Sequence, residues 1–128
     1  MLKQGEILFP ELSYQIVGCA FEVFNTLGGG LLEKQYQKAM AAEFGAKNLR
    51  FKEQVHYPLE YKGVSIGKGY LDFLVEDKIV VELKRGDHFS RHHIAQVNAY
   101  LHYSGCQLGL LIQFAKNEVR HKRILNTL

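Results

Sequence analysis

The stretch "GYLDFLVEDKIVVELKRG", Gly69 to Gly86, decides how this chain folds. Two runs of β-branched and apolar residues flank Glu76-Asp77-Lys78, the pattern of a hairpin. With those three residues as the loop, Val75 faces Ile79 and Asp72 lies opposite Glu82. Alternation along each strand then places Leu71, Phe73, Val75, Ile79, Val81 and Leu83 on one apolar face. The other face carries Tyr70, Asp72, Leu74, Val80, Glu82 and Lys84. Opposite residues in an antiparallel pair have Cβ atoms roughly 4.5–5.5 Å apart, a separation at which two carboxylates repel. The face is either the solvated side of an amphipathic hairpin, with Lys84 screening the acids, or a place where two carboxylates share a cation. Hard divalent ions prefer such oxygens. Leu74 and Val80 on the same face indicate that part of it is covered.

At 128 residues, with 47% apolar and 23% charged residues, the chain reads as one soluble globular domain spanning residues 1–128. A net charge of +3 permits an anionic partner without requiring one. Cys19 and Cys106 lack metal-ligand spacing and sit in apolar surroundings, which predicts reduced thiols and a cytoplasmic protein. The sequence shows no signal-like apolar segment and no apolar run approaching ~18 residues, so no membrane span is expected.

Leu12, Ile16, Cys19, Ala20, Val23 and Leu27 recur at helical spacing, predicting a mostly buried helix that opens after Pro10 and closes at Gly28-Gly29-Gly30. This glycine run has no following Lys-Ser/Thr and no preceding strand, so it reads as a helix–helix turn rather than a phosphate loop. A second helix is expected from Leu31 to Ala46, then strands from Phe51 to Tyr61, Val64 to Val75 and Ile79 to Lys84. A helix from Ser90 to Tyr103, a strand from Leu108 to Phe114 and a short basic strand or tail from Val119 to Ile124 complete the chain. The order ααβββαββ predicts an α+β fold, a central mixed sheet flanked by helices. The passage from the Glu82 strand through the Ser90 helix to the Leu108 strand is a natural βαβ crossover.

In the Ser90 helix, Ile94, Val97 and Leu101 form a core stripe, and His93, Gln96 and Tyr100 form a second stripe roughly 100° away. The second stripe is either an exposed polar flank or the border of the cleft that holds the carboxylates. His92 and His93 are adjacent on the helix and cannot readily chelate one metal.

Asp72, then Glu82-Leu83-Lys84, then the Gln96-to-Tyr100 pair at the spacing QxxxY resemble the PD-(D/E)xK nuclease superfamily and its RecB-like branch. More narrowly, "GLLEKQY" (Gly30 to Tyr36), "VELK", "HIAQVNAYL", "GLLIQF" and "KRILN" resemble the small GxxExxY-type proteins of that superfamily. The resemblance runs from about Leu12 to Asn126, and its weight lies in the order and spacing of pieces that are weak singly. Leu71 rather than Pro precedes Asp72, and Gln113 stands where Asn is expected.

The resemblance implies a restriction-endonuclease-like core and a site in which Asp72, Glu82 and the Leu83 carbonyl hold Mg²⁺ or Mn²⁺. Glu33, carried over from the GxxExxY motif, completes the metal shell directly or through water. Lys84 orients the attacking water or stabilises the transition state. His93, Gln96 and Tyr100, with Arg91, Arg120, Lys122 and Arg123 from the basic segments, are the expected substrate contacts, since phosphate neutralisation is what nucleic-acid binding requires. The function implied is hydrolysis of phosphodiester bonds in DNA, with RNA as the other candidate substrate. The alternative is a non-catalytic nucleic-acid-binding or protein-interaction module, dimerising through Tyr57, Tyr61 and Tyr70 or served by a separate specificity partner.

Overall fold

The computed structural model describes residues 8–127. Helix α1 spans Pro10–Leu27 and α2 Glu33–Ala46. Strands β1 (Phe51–Tyr61), β2 (Val64–Val75) and β3 (Ile79–Arg85) follow, then α3 (Arg91–Ser104), β4 (Leu108–Phe114) and β5 (Val119–Leu125). The order is the expected ααβββαββ, with the basic C-terminal segment a true strand. The strands form one sheet in the order β1-β2-β3-β4-β5. Only β3 and β4 run parallel; the other neighbours are antiparallel. The one parallel pair is the one joined by a helical crossover, as parallel neighbours require.

The two helical layers take opposite faces. Ile16, Cys19, Ala20 and Val23 of α1 and Tyr36, Met40 and Phe44 of α2 pack with Phe73, Val75, Ile79, Val81, Leu83, Leu110 and Ile112. On the other face Val97, Tyr100 and Leu101 of α3 pack with Val80, Leu111 and Ile124. β3 and β4 are therefore covered on both sides, which is why Ile79 to Leu83 and Leu108 to Phe114 read as nearly unbroken apolar runs. Pro10 occupies the first turn of α1, and the Gly28 N–H closes its end on the Phe24 carbonyl at 2.7 Å. Ser90 caps α3, its Oγ accepting the His93 N–H at 3.2 Å, and Gly105 ends it in the left-handed region at φ 78°.

Helix α3 and strand β5 each end one residue later than expected, and three further details differ. Helix α2 begins at Glu33 rather than Leu31, because the chain leaves the glycine run extended through Leu32. β3 continues one residue further, to Arg85. Leu71 belongs to the α3-side cluster, whereas Phe73 and Val75 face α1 and α2. Strict alternation through Asp72 would have kept all three together. Its neighbour across the ladder, Gln54, has φ 51°, and this kink of β1 lies where the pairing passes from Glu53↔Phe73 to Val55↔Leu71. The ribbon changes face there.

The glycine run holds α2 in place. Tyr36, fully buried, stacks flat on Phe114 with centroids 4.1 Å apart. Its phenol donates to the Gly28 carbonyl at 2.7 Å and accepts the Leu31 N–H at 3.4 Å. Gly29 lies so close to the β4–β5 turn that an added Cβ would stand 2.3 Å from the Lys116 carbonyl oxygen and 2.9 Å from that of Ala115. Both obstacles are backbone and cannot rotate away. Gly29→Ala is therefore expected to destabilise by about 1–3 kcal/mol, the range of overpacking. Gly45→Ala in α2, where nothing lies within 4 Å of the new methyl, is expected to be neutral or to stabilise by up to about 1 kcal/mol. Urea unfolding of the two variants checks the contrast.

Candidate active site

The β2–β3 ladder pairs Val75↔Ile79, Leu74↔Val80 and Phe73↔Val81 and then stops. The expected register holds that far, and the next two residues along are Asp72 and Glu82. There the side chains replace the backbone ladder. The Asp72 N–H donates to Glu82 Oε1 at 3.1 Å, and the Leu83 N–H donates to Asp72 Oδ2 at 2.7 Å. Each carboxylate thus reaches across to the other strand's backbone, and the two come within hydrogen-bonding reach of one another. Beyond this crossing β2 stays with β1 while β3 stays with β4, so the sheet opens. The Lys84 ammonium lies 3.1 Å from Glu82 Oε2.

Burial governs the electrostatics. Glu82 is 3% exposed. Its burial, and after that the charge of Asp72, push its pKa up to about 8, against the pull of Lys84. Burial also raises Asp72, opposed by the Leu83 N–H and by Lys84. For Lys84, burial works against the charge, but Glu82, Glu33 and Asp72 outweigh it and the pKa rises. Glu33, the first residue of α2, is thus close enough to act on Asp72, Lys84 and His93 although it comes from the opposite helical layer.

The α3 stripe divides. His93 borders the site: burial, then Lys84 and His92, lower its pKa, and its Nδ1 is buried without a hydrogen-bond partner. Gln96 donates from Nε2 to the Tyr70 carbonyl at 3.0 Å, tying α3 to the strand that carries Asp72. Tyr100 is 6% exposed and packs against Tyr57, with ring centroids 6.3 Å apart. Arg91 is exposed at the start of α3.

The basic residues of β5 scatter. Arg120 bonds Glu118 at 2.9 Å and also donates to the Asp87 carbonyl, beside the buried Gln113, whose Nε2 donates to His88 O at 2.7 Å. Together they clamp the loop between β3 and α3. Lys122 is exposed. Arg123 turns to the α1 side, where its guanidinium is committed to Ser13 Oγ at 2.8 Å and the Leu8 carbonyl at 2.6 Å. Arg123 parts from Arg120 and Lys122 because alternation sends neighbours in a strand to opposite faces.

Tyr57 was expected on an apolar surface with Tyr61 and Tyr70. The latter two are exposed, but Tyr57 is buried, and burial followed by the charge of Glu82 raises its pKa. Its ring lies over Gly69: a Cβ there would stand 2.2 Å from Tyr57 Cζ. Glycine inside a strand, here Gly69 three residues before Asp72, was the available signal of such a close approach.

Among the described residues no three His, Cys, Asp or Glu side chains form a ready metal cluster. Two of the four carboxylate oxygens accept backbone N–H groups and a third faces Lys84. The donor set nonetheless fits a hard cation. Two adjacent acids, Glu82 buried and Asp72 partly so, which burial drives toward protonation, are groups that a divalent ion would hold ionised.

The raised acids set a pH dependence for the metal-free protein. Between the ordinary glutamate value of 4.5 and about 8, the native state holds a proton on Glu82 that the unfolded chain has released. Stability therefore falls as pH rises through that window. Urea unfolding in chelator is expected to show this decline, and Glu82→Gln, which cannot ionise, is expected to flatten it. A flat profile for the unsubstituted protein would mean that Glu82 titrates as an ordinary surface acid.

The sequence model of the PD-(D/E)XK nuclease superfamily matches residues 10–124. No curated protein matches the chain in sequence. Among solved structures, the chain is similar to an alkaline exonuclease (LHK-Exo) from Laribacter hongkongensis, with TM-score 0.52 and 14% identity over 98% of this chain and 72% of that one. It is also similar to SSO0001, with TM-score 0.49 and 16% identity over 100% of this chain and 71% of that one. The likeness to the exonuclease is one of fold.

Proposed function

The chain belongs to the PD-(D/E)XK nuclease superfamily, and on that premise we propose that it is a metal-dependent nuclease hydrolysing phosphodiester bonds in DNA. The observation that carries this reading is the crossing of Asp72 and Glu82 at the mouth of the opened sheet, with Lys84 on the outer oxygen of Glu82. Asp72, Glu82, the Leu83 carbonyl and Glu33 are the groups to hold Mg²⁺ or Mn²⁺. Such an ion, when bound, would supply Lewis acidity at the phosphate and a more acidic water.

The chain's own residues do the rest. The backbone N–H groups of Asp72 and Leu83 fix the orientation of the two carboxylates. Lys84 is a preorganised positive charge in a half-buried site, where it acts on charge developing at the scissile phosphate more strongly than it would in water. His93 brings an unpartnered ring nitrogen to the border of the site. Gln96, through Tyr70, fixes the strand that carries Asp72. Arg91 and Lys122 are exposed and free to meet phosphates. Tyr100 acts as a packing residue beneath the site, and Arg120 and Arg123 as braces rather than substrate contacts. The GxxExxY resemblance adds a role to Tyr36: its bonds to Gly28 and Leu31 set where α2 begins, and so where Glu33 stands. The two free thiols suit a cytoplasmic protein, and no helix among the described residues is long and apolar enough to cross a membrane.

A second reading, a protein-interaction module that keeps the fold, draws on the exposed apolar tip of the β1–β2 hairpin, where Tyr61, Val64 and Ile66 are 60–65% exposed.

Lys84→Ala separates the two. A group that acts on the transition state should cost about 10²-fold or more in single-turnover cleavage, while equilibrium DNA binding, spread over many phosphates, changes little. Equal losses in rate and binding would assign Lys84 to scaffolding and favour the non-catalytic module. Cleavage by the unsubstituted protein is expected to require Mg²⁺ or Mn²⁺. Undiminished cleavage in chelator would reject the carboxylate mechanism.

A further inference from the structure

We propose that the groove between α2 and β1, continued along the outward face of the β1–β2 hairpin, is the track for a single strand of nucleic acid. This rests on the nuclease reading and names the form of substrate and the surface that receives it.

The groove lies beside the helical stripe that starts at Glu33. Glu33 and Gln37 lie one helical turn apart on α2 and so share a stripe. Gln37 bonds across to β1, donating to Glu53 at 3.4 Å and accepting from Gln54 Nε2 at 3.0 Å. Lys34 and Lys38 stand on the flank of that stripe, and together these five residues, Lys34, Gln37, Lys38, Glu53 and Gln54, line an open groove of about 320 Å³. Both lysines are exposed, and neither enters an ion pair among the described residues. They are a pair of unspent cations one turn apart, the first of them next in sequence to Glu33 of the proposed metal shell.

The hairpin continues the surface with aromatic groups. Val55, Tyr57 and Leu71 face α3, so His56 and Tyr70, paired across the ladder, face the α2 side. Their rings meet nearly edge to face at 6.0 Å, and Tyr70 remains 48% exposed. Exposed Lys68 is paired with Pro58, one step further along the same face. Tyr70 is two residues before Asp72, roughly 6.8 Å along an extended strand, and the Gln96 bond to its carbonyl anchors it.

Cations alternating with an anchored, half-exposed aromatic pair are what a single strand needs: lysines for phosphates and a ring face for an unstacked base. A duplex keeps its bases stacked on one another and has none to offer Tyr70. The charge, the exposed aromatic pair and the nearness of Lys34 to Glu33 and of Tyr70 to Asp72 along the chain therefore favour a single strand over a duplex or a protein.

Fluorescence anisotropy of labelled single-stranded and duplex oligonucleotides of one sequence tests this, with the full chain in the Lys84→Ala background and Mg²⁺ present. The single strand is expected to bind more tightly. Lys34→Ala with Lys38→Ala is expected to reduce the slope of log affinity against log salt by about 1.4, two phosphates at about 0.7 each. Tyr70→Ala is expected to weaken binding about 10-fold or more, and Tyr70→Phe, which keeps the ring, to restore it. If the chain binds DNA but the lysine pair leaves the slope unchanged, or Tyr70→Ala matches Tyr70→Phe, the track is wrong while the nuclease reading stands. Equal affinity for duplex removes the single-strand assignment. Absence of binding to either probe overturns the nucleic-acid reading itself, and the track with it.

Discussion

The crossed carboxylates of Asp72 and Glu82 are the constraint on which the rest of the site depends. A β-ladder normally satisfies each N–H with a carbonyl of its neighbour. Here the ladder between β2 and β3 ends, and two acid side chains accept the next N–H groups instead. One device therefore does three things. It terminates the pairing so that the sheet opens, it orients both carboxylates with backbone donors, and it brings two negative groups together under partial burial. The last is costly for an isolated pair, and Lys84 at 3.1 Å only partly offsets it, which is why Glu82 is driven to about 8.

What surrounds the crossing is built to hold it still. On one side, Tyr36 stacked on Phe114 fixes the glycine turn, and with it the first residue of α2. On the other, Gln113 and Arg120 grip consecutive carbonyls, His88 and Asp87, of the loop that leads into α3. Gln96 then ties α3 back to β2 at Tyr70. The three elements that meet at the opening are thus each braced by directional polar bonds, partly buried at Tyr36 and Gln113 and exposed at Arg120 and Gln96, and such bonds tolerate little displacement. Gln113, which looked like a mere departure from expectation, is one of these braces.

Much of this was legible beforehand, and the legible parts share a cause. Helical periodicity placed α1 and α3 almost to the residue, and apolar and β-branched runs placed the first four strands, while the fifth was legible only as a short basic strand or tail. The hairpin register followed from one loop, Glu76 to Lys78, and it put Asp72 beside Glu82 correctly. What misled was alternation carried across an irregularity. Leu71 was assigned to the wrong face because the kink at Gln54 lies on the partner strand, and no pattern within residues 69–86 reports it. Charge alone groups Arg120, Lys122 and Arg123, and it does not report that the guanidiniums of Arg120 and Arg123 bond Asp87, Ser13 and Leu8, residues 33 to 115 positions away.

The sequence by itself determined the order of elements, the hairpin and the adjacency of the two acids, because each of these is set by neighbours a few positions apart. Only the tertiary structure decided that Tyr57 is covered rather than exposed, that Leu71 joins the α3-side cluster, and that Gln37 of α2 bonds across to Glu53 and Gln54 of β1. Those outcomes depend on where the sheet opens and how far α2 slides along it. Such distances are fixed by packing between segments remote in sequence, through contacts such as Gly29 on Lys116 and Tyr57 on Gly69.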